Sequence, residues 1–519
     1  MVPDLSYSIE LPKKTSSKES FILIVSTFIA GLCSIIYELL ISTVSSYFLG
    51  DSIRQFSITI GLYMAAMGFG SYISRLINKN LLSKFIGLEI FLGFLGGMSV
   101  PILYFAYAFT HAYYLVMVFL ILSIGVLIGL EIPLLTRIME KHYLLKFNIS
   151  NVLSVDYLGA LVATLIFPFI LLPLLGTFRS ALFFGIINMG IGVLNVWCFS
   201  NQLKGRDFKK YVGGLIFVCT LLCSFFFAAH YFLKHWSNRL YEDQIIFSRQ
   251  SKFQKIVMTR NKKDLRLFLD GNLQFSSIDE YRYHEPLVHI PLGLTSHKKN
   301  ILILGGGDGL VAREVLKYPE VEKIDLVDLD PEITRIGRTD HHLKVLNNRS
   351  LEDPRVQVTH EDAFVYLGKI YRLFDIIIAD LPDPNNVSLA RLYSKEFFQL
   401  VKSRLSKTGV FVTQATSPFF AKEAFWCIKN TVKEAGFLNV YPYHVNVPSF
   451  GDWGFVMASN IKYRPHEAPL SVQTKYLEKD IIQSLFIFEK DLLEENKNFS
   501  TLDDPIVLNY YLKGWRNWK

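Results

Sequence analysis

The chain has 519 residues, 51% of them hydrophobic, and a formal net charge of +8. That length exceeds what a single hydrophobic core organises, so two or more domains are expected. Charge divides unevenly: residues 1–236 hold 16 Lys+Arg against 10 Asp+Glu, the remainder 38 against 36. The nearly neutral second part carries no electrostatic footprint for nucleic acid. The first part accounts for a mean hydropathy of +0.29, high for a wholly soluble protein.

In chain order, apolar runs of about 20 residues, long enough to cross a bilayer, fall at 20–43, 56–77, 85–108, 112–135, 152–175, 179–199 and 211–233. They predict about seven spans in a transmembrane helical domain over 1–236. The first run is too long for a simple cleavable signal peptide and lacks a small-residue cleavage pattern. Lys and Arg cluster at 13–18, 75–84, 137–146 and 204–210, which by charge bias sets the N-terminus in the cytoplasm. Seven spans would then carry the second half outside, whereas the chemistry read below needs the cytoplasm; either one segment is re-entrant or the charge bias misleads. Glu38, Glu89, Glu131 and Asp156 lie within or at the ends of these runs. Ionisable groups there face a cavity or a partner, giving either a path for a cation or polyamine through the bundle, or structural pairing between helices, for example with Arg75 or Arg137, or a position at the water interface. The glycines from Gly61 to Gly70 suit close helix packing. Cys33, Cys198, Cys219, Cys223 and Cys427 have neither metal-ligand spacing nor a disulfide framework, and packing accounts for them.

After Trp236 the composition turns to mixed charge. Residues 244–275 alternate in short runs broken by Asn261-Lys262-Lys263-Asp264 and by Asp270-Gly271, a pattern of strands and hairpin turns. It predicts a small β-domain over 237–295. From residue 300 apolar runs at Ile301–Leu304, Ile324–Val327, Val356–Val358, Asp375–Ala379 and Val410–Thr413 alternate with helical stretches. This spacing predicts a mostly parallel, Rossmann-like sheet with helices on both faces over 296–460, and a C-terminal extension over 461–519.

The first of these strands runs into Gly305-Gly306-Gly307-Asp308-Gly309, where glycines allow a tight turn and close approach to a ligand. Asp328 ends the second strand, at the position of an acid that binds ribose hydroxyls, and Asp362 closes the third. Dinucleotide enzymes and S-adenosyl-type transferases share these features. Leu310 breaks the Gly-x-Gly-x-x-Gly spacing, and Asp308 inside the loop would repel a pyrophosphate, which disfavours a dinucleotide and favours a cationic ligand. The fourth strand ends in Asp380, with Asp383 three residues on in a proline-locked turn. Paired carboxylates there suit a protonated amine, which must yield a proton before it attacks an electrophilic carbon. The alternative is that both are turn formers or helix caps.

Six segments in order now carry a specific likeness: FQKI at 253–256, LDGNLQ at 269–274, DEYRYHE at 279–285, LGGGDG at 304–309, VDLDPE at 327–332 and DLPDP at 380–384. Together they resemble the polyamine aminopropyltransferase (spermidine synthase) family. The apolar segments at 31–40 and 151–176, and the tail from Thr474 to Trp518, resemble its bacterial membrane-fused branch. The resemblance implies a multi-pass cell-membrane protein with its catalytic domain in the cytoplasm. It implies transfer of an aminopropyl group from the co-substrate decarboxylated S-adenosylmethionine to putrescine, giving spermidine and methylthioadenosine. No metal or redox cofactor is implied, since the sulfonium is already a good leaving group.

By the same resemblance Asp380 is the catalytic base and Asp383 helps hold the polyamine. Asp308 and His284 line the amine and aminopropyl region; Gln254, Asp328, Asp362 and Ala363 hold the nucleoside; Tyr393, Gln274 and Gln414 stand behind them. The family's small β-domain is often used in oligomer contacts, which leaves room for a homo-oligomer. Departures fall on the acceptor side: Lys263 and Phe450 stand where tyrosines are common, and Val387 where a proline often follows the turn. Asp328 replaces a frequent glutamate and keeps the carboxylate. These departures leave open another amine acceptor, or a membrane polyamine-binding or transport protein whose synthase-like domain does not catalyse.

Overall fold

A computed structural model describes residues 17–49, 52–110, 112–140, 145–203, 205–241, 243–494, 497–516 and 518. Lys13, Lys14, Lys141 and Lys204 of the expected charge bias lie outside them. The chain divides into two compact units, Met1–Glu242 and Asp243–Lys519.

The first unit is helical: α1 (Ser17–Leu49), α2 (Ser52–Ile73), α3 (Leu81–Phe109), α4 (Tyr113–Met139), α5 (Leu145–Ile166), α6 (Leu172–Cys198) and α7 (Gly205–Tyr241). Among the described residues six runs are long and apolar enough to cross a membrane, where the sequence pattern predicts seven. The difference lies in Ile149–Cys198, a single run of 50 residues that spans 152–175 and all but the last residue of 179–199. At about 1.5 Å per residue a straight helix of that length would reach about two and a half times the ~30 Å of bilayer hydrocarbon. The run is not straight: a π-turn occupies Phe167–Leu171 around Pro168, and Gly176 (φ 67°, ψ 179°) leaves the helical region altogether. Glycine is the residue that adopts such a conformation without strain. α2 and α4 pack closely, since a Cβ on Gly70 or Gly129 would lie 2.2 Å from the Val126 carbonyl or 2.1 Å from that of Met67. Gly61 and Gly68, expected to serve the same purpose, have no atom that close.

The second unit opens with an antiparallel sheet of four strands in sequential order: β1 (Gln244–Gln250), β2 (Lys255–Asn261), β3 (Asp264–Leu269) and β4 (Asn272–Ser276). The β3–β4 turn places Asp270 and Gly271 at φ 48° and 80°, the paired positive angles that twist a two-residue hairpin correctly. Helix α8 (Tyr281–Leu294) leads into the large sheet. Its strands are β5 (Asn300–Gly305), β6 (Lys323–Asp328), β7 (Val356–His360), β8 (Phe374–Asp380), β9 (Leu405–Gln414), β10 (Asn439–Val447) and β11 (Gly451–Ser459). Their order is β10-β11-β9-β8-β5-β6-β7; β5 to β9 run parallel, and β10 and β11 are antiparallel. Strands buried on both faces read as apolar runs, which is why β5, β6, β8 and β9 stand out in the sequence; β7 is only partly buried and shows as the alternation of Val356 and Val358.

Connecting helices α9 (Leu310–Val315), α10 (Pro331–Thr339), α11 (His341–Leu346), α12 (Ala363–Lys369), α13 (Val387–Ala390), α14 (Lys395–Ser403) and α15 (Lys422–Glu434) cover the sheet. Two apolar clusters fill its two faces, one built on Leu302, Ile377 and Phe411, the other on Ile303, Ile378 and Val412. The tail adds α16 (Lys479–Ser484) and α17 (Ile506–Arg516). It is fastened by the buried Glu285 carboxylate, which accepts from the backbone N–H groups of Lys475, Tyr476 and Leu477 at 2.6–3.0 Å.

Candidate active site

The carboxyl ends of β5, β6, β8 and β9 supply the site, as open parallel sheets commonly do. Gly305 pairs with Asp380 across β5 and β8. A Cβ on Gly305 (φ 81°) would stand 2.0 Å from the Asp380 carbonyl, and one on Gly306 (φ 64°) 3.4 Å from its carboxylate. The loop is glycine-rich because no side chain fits between the two strand ends.

Asp380 accepts a 2.6 Å hydrogen bond from the Tyr283 hydroxyl of α8. Asp383 accepts from Gln414 Nε2 at 3.2 Å, from Thr416 Oγ1 at 3.5 Å and from the Tyr511 hydroxyl of α17. Among the described residues neither carboxylate caps a helix or takes a backbone N–H; the turn itself is closed by the Asn385 N–H, which donates to the Asp383 backbone carbonyl at 2.7 Å. Tyr393 and Gln414 hold the turn between them: the Tyr393 hydroxyl donates to the Pro382 carbonyl at 3.0 Å, and Gln414 Nε2 to that of Leu381 at 2.7 Å. Thr416, at φ 60°, occupies a left-handed conformation that costs a β-branched residue energy. Its N–H reaches Gln414 Oε1 at 2.9 Å while its hydroxyl faces Asp383.

Burial raises the proton affinity of this cluster. Asp383 is pushed up to about 6, against its hydrogen bonds from Gln414, Tyr511 and Thr416. Asp308 reaches about 6 through burial, with the His284 charge opposing and that of Asp380 reinforcing. Asp380 is raised by burial, with His284 and the Tyr283 hydrogen bond holding it back. His284 is 3% exposed. Burial would lower its pKa, but the bond from its Nδ1 to Glu280 Oε2 at 2.8 Å and that group's charge outweigh burial, so it rests above its ordinary value. Glu280 is in turn gripped by Arg313 through two bonds of 2.9 and 2.8 Å.

At the β6 end, Asp328 accepts from the N–H groups of Gly307 (3.0 Å) and Asp330 (2.8 Å), and burial lifts it to about 7. Gln254 reaches this edge through Asp330, donating to its Oδ2 at 3.1 Å, beside the Ser251 hydroxyl at 2.6 Å. Asp362 caps α12 by accepting from Phe364 and Val365, and its other oxygen pairs with Arg391. Ala363 is the first residue of that helix and buried. Gln274 is not joined to the cluster: its amide donates to the Asn272 carbonyl within its own hairpin.

Of the departures, Lys263 is exposed in the β2–β3 turn and Val387 is exposed at the start of α13. Phe450 packs edge-on to Tyr283 at 6.2 Å, one step from Asp380. Tyr283, Tyr511, Asp330 and Arg391 are the participants that sequence reasoning missed. Tyr283 and Asp330 lie inside segments that carry the family likeness, but their partners come from distant strands. Tyr511 lies in a tail whose packing no local pattern reveals.

Residues 280–468 match the spermine/spermidine synthase domain. The polyamine aminopropyltransferase of Leptospira interrogans is 40% identical over 497 residues, covering 95% of this chain and 98% of that protein. That of Oceanobacillus iheyensis is 40% identical over 510 residues, covering 96% and 99%. The solved spermidine synthase of Thermotoga maritima aligns with 48% of this chain and 86% of its own, at 29% identity and a TM-score of 0.44. Relatives of this identity over nearly the full length settle the assignment: the chain belongs to the polyamine aminopropyltransferase family.

Proposed function

We propose that the second unit transfers the aminopropyl group of decarboxylated S-adenosylmethionine to putrescine, releasing methylthioadenosine and spermidine. The amine lone pair attacks the aminopropyl carbon next to sulfur. The new C–N bond forms as the C–S bond breaks, and its electron pair leaves on sulfur as a neutral thioether. The attacking nitrogen sheds a proton, which Asp380 accepts. The observation that carries this reading is the Asp380 carboxylate at the β8 end, oriented by Tyr283 and flanked by Asp308, Asp383 and His284. Positioning of the two reactants supplies most of the catalysis.

Asp383, held by Gln414 and Tyr511, takes the distal ammonium of the acceptor. Asp308 and His284 flank the aminopropyl chain. Asp328 has lone pairs left for ribose hydroxyls, while Gln254, Asp362 and Ala363 border the base. The six apolar runs anchor the enzyme in the cell membrane, with the catalytic unit on the cytoplasmic side where both substrates are made. Purified full-length protein given decarboxylated S-adenosylmethionine and a panel of amines tests the reaction: methylthioadenosine release with putrescine is expected. No release with any amine, where a control enzyme turns over, would overturn it. A C-terminal reporter fusion tests the side of the membrane.

A further inference from the structure

The aminopropyl reaction uses none of the acidic groups of the helical unit, yet two of them lie fully inside it. Glu89 on α3 is 0% exposed and Glu131 on α4 is 1% exposed, and their carboxyl groups come within hydrogen-bonding range of each other. Among the described residues neither has a counter-cation. Arg137 donates instead to the carbonyls of Pro133, Ile77 and Ser74 at 3.2, 2.9 and 2.7 Å, and Arg75 lies over the Tyr72 ring. Uncompensated carboxylates inside an apolar bundle are strongly disfavoured, so the pair takes up protons or a positive partner from outside the chain.

The unsatisfied atoms indicate what kind. Glu89 Oε1 and Oε2, Glu131 Oε1, Asn188 Oδ1 and Tyr37 Oη are buried without a hydrogen-bond partner. Asn188 and Tyr37 are themselves 0% exposed. Asn188 is held beside Glu89 by its Nδ2 bond to the Glu89 backbone carbonyl at 2.9 Å, and Tyr37 lies within electrostatic reach of both glutamates. The carboxylate and amide oxygens only accept, so the missing group must donate. One proton shared across the pair would engage one oxygen from each glutamate and leave one net negative charge; a second proton would neutralise the pair without a ligand, the outcome that proton occupancy reads in the test below. A compact monocation carrying several N–H bonds completes the set. No third His, Cys, Asp or Glu joins the pair in a metal-holding group among the described residues.

We infer that Glu89, Glu131, Asn188 and Tyr37 form an internal binding site for a primary ammonium group, one end of a diamine or polyamine. The choice of an amine over another monocation rests on the amine chemistry proposed for the second unit. The test is equilibrium binding of radiolabelled putrescine to the full-length protein in lipid nanodiscs, without decarboxylated S-adenosylmethionine. Wild type is expected to bind two molecules per chain and the Glu89→Gln/Glu131→Gln variant one. Circular dichroism and gel filtration check that the variant is folded. Tyr37→Phe, which leaves both carboxyls in place, is expected to weaken the second site about ten-fold, the loss of one hydrogen bond to a charged group. The same number of putrescine sites in the wild type and the double variant, or a site at Glu89 filled by sodium, potassium or protons and not by putrescine, overturns the inference. Aminopropyl transfer by the wild type is assayed in parallel, so a protein that binds through Glu89 but does not transfer refutes the reading of the second unit alone.

Discussion

Asp380 acts through its neighbours. The 2.6 Å bond from Tyr283 fixes its orientation and restrains the rise in proton affinity that burial imposes. Tyr283→Phe is therefore expected to lower kcat about ten-fold with little change in KM for the amine, read by steady-state kinetics; a raised KM at unchanged kcat would make Tyr283 a substrate contact instead. Asp308 and Asp383 are both lifted to about 6. The folded chain binds their protons more tightly than the unfolded chain does. Their contribution therefore favours folding at low pH and is lost as pH rises from the ordinary carboxyl range through about 6. A cationic ligand reverses this, since it needs the charged forms. Putrescine should raise the melting temperature more at pH 8 than at pH 5, and its KM should climb as pH falls below about 6. These acids were legible in the sequence because each lies at the end of a hydrophobic strand or within three residues of it. Their hydroxyl partners were not, because Tyr283 and Tyr511 reach them across 97 and 128 positions of chain.

Among the elements, the β5 turn and the last helix set the site in place. Gly305 pairs with Asp380 at positive φ with no room for a methyl group. Gly305→Ala should cost on the order of 2 kcal/mol in chemical denaturation and lower kcat. Gly368→Ala, inside α12 with no atom in the way, should leave stability unchanged or raise it by about 0.5 kcal/mol. Helix α17 brings Tyr511 to Asp383, so Tyr511→Phe is expected to raise KM for the amine several-fold while kcat holds. Four of the five parallel strands were readable because strands buried on both faces write apolar runs, and β7 by the alternation of Val356 and Val358. The broken Ile149–Cys198 run was read as two segments because Pro173 and Gly176 interrupt its pattern, and whether helical hydrogen bonding continues past such a break depends on packing that composition does not record.

For the whole molecule, composition separates an apolar first part from a charged second, and the chain divides into units at Glu242 and Asp243, close to the change after Trp236. The motif order identified the family, because six short segments in register constrain a long stretch of fold at once. What lies inside the helical unit was less legible: acids could be located in the apolar runs, but the missing counter-charge around Glu89 and Glu131 is a property of three-dimensional packing. The central claim is that Asp380 accepts the proton of an attacking amine. It is tested most directly by methylthioadenosine release from decarboxylated S-adenosylmethionine and putrescine, comparing wild type with Asp380→Asn in folded, full-length protein. A fall in kcat of about 10²–10⁴, the usual worth of a positioned general base, is predicted, with nucleoside binding retained. An Asp380→Asn enzyme that turns over at the wild-type rate would contradict it.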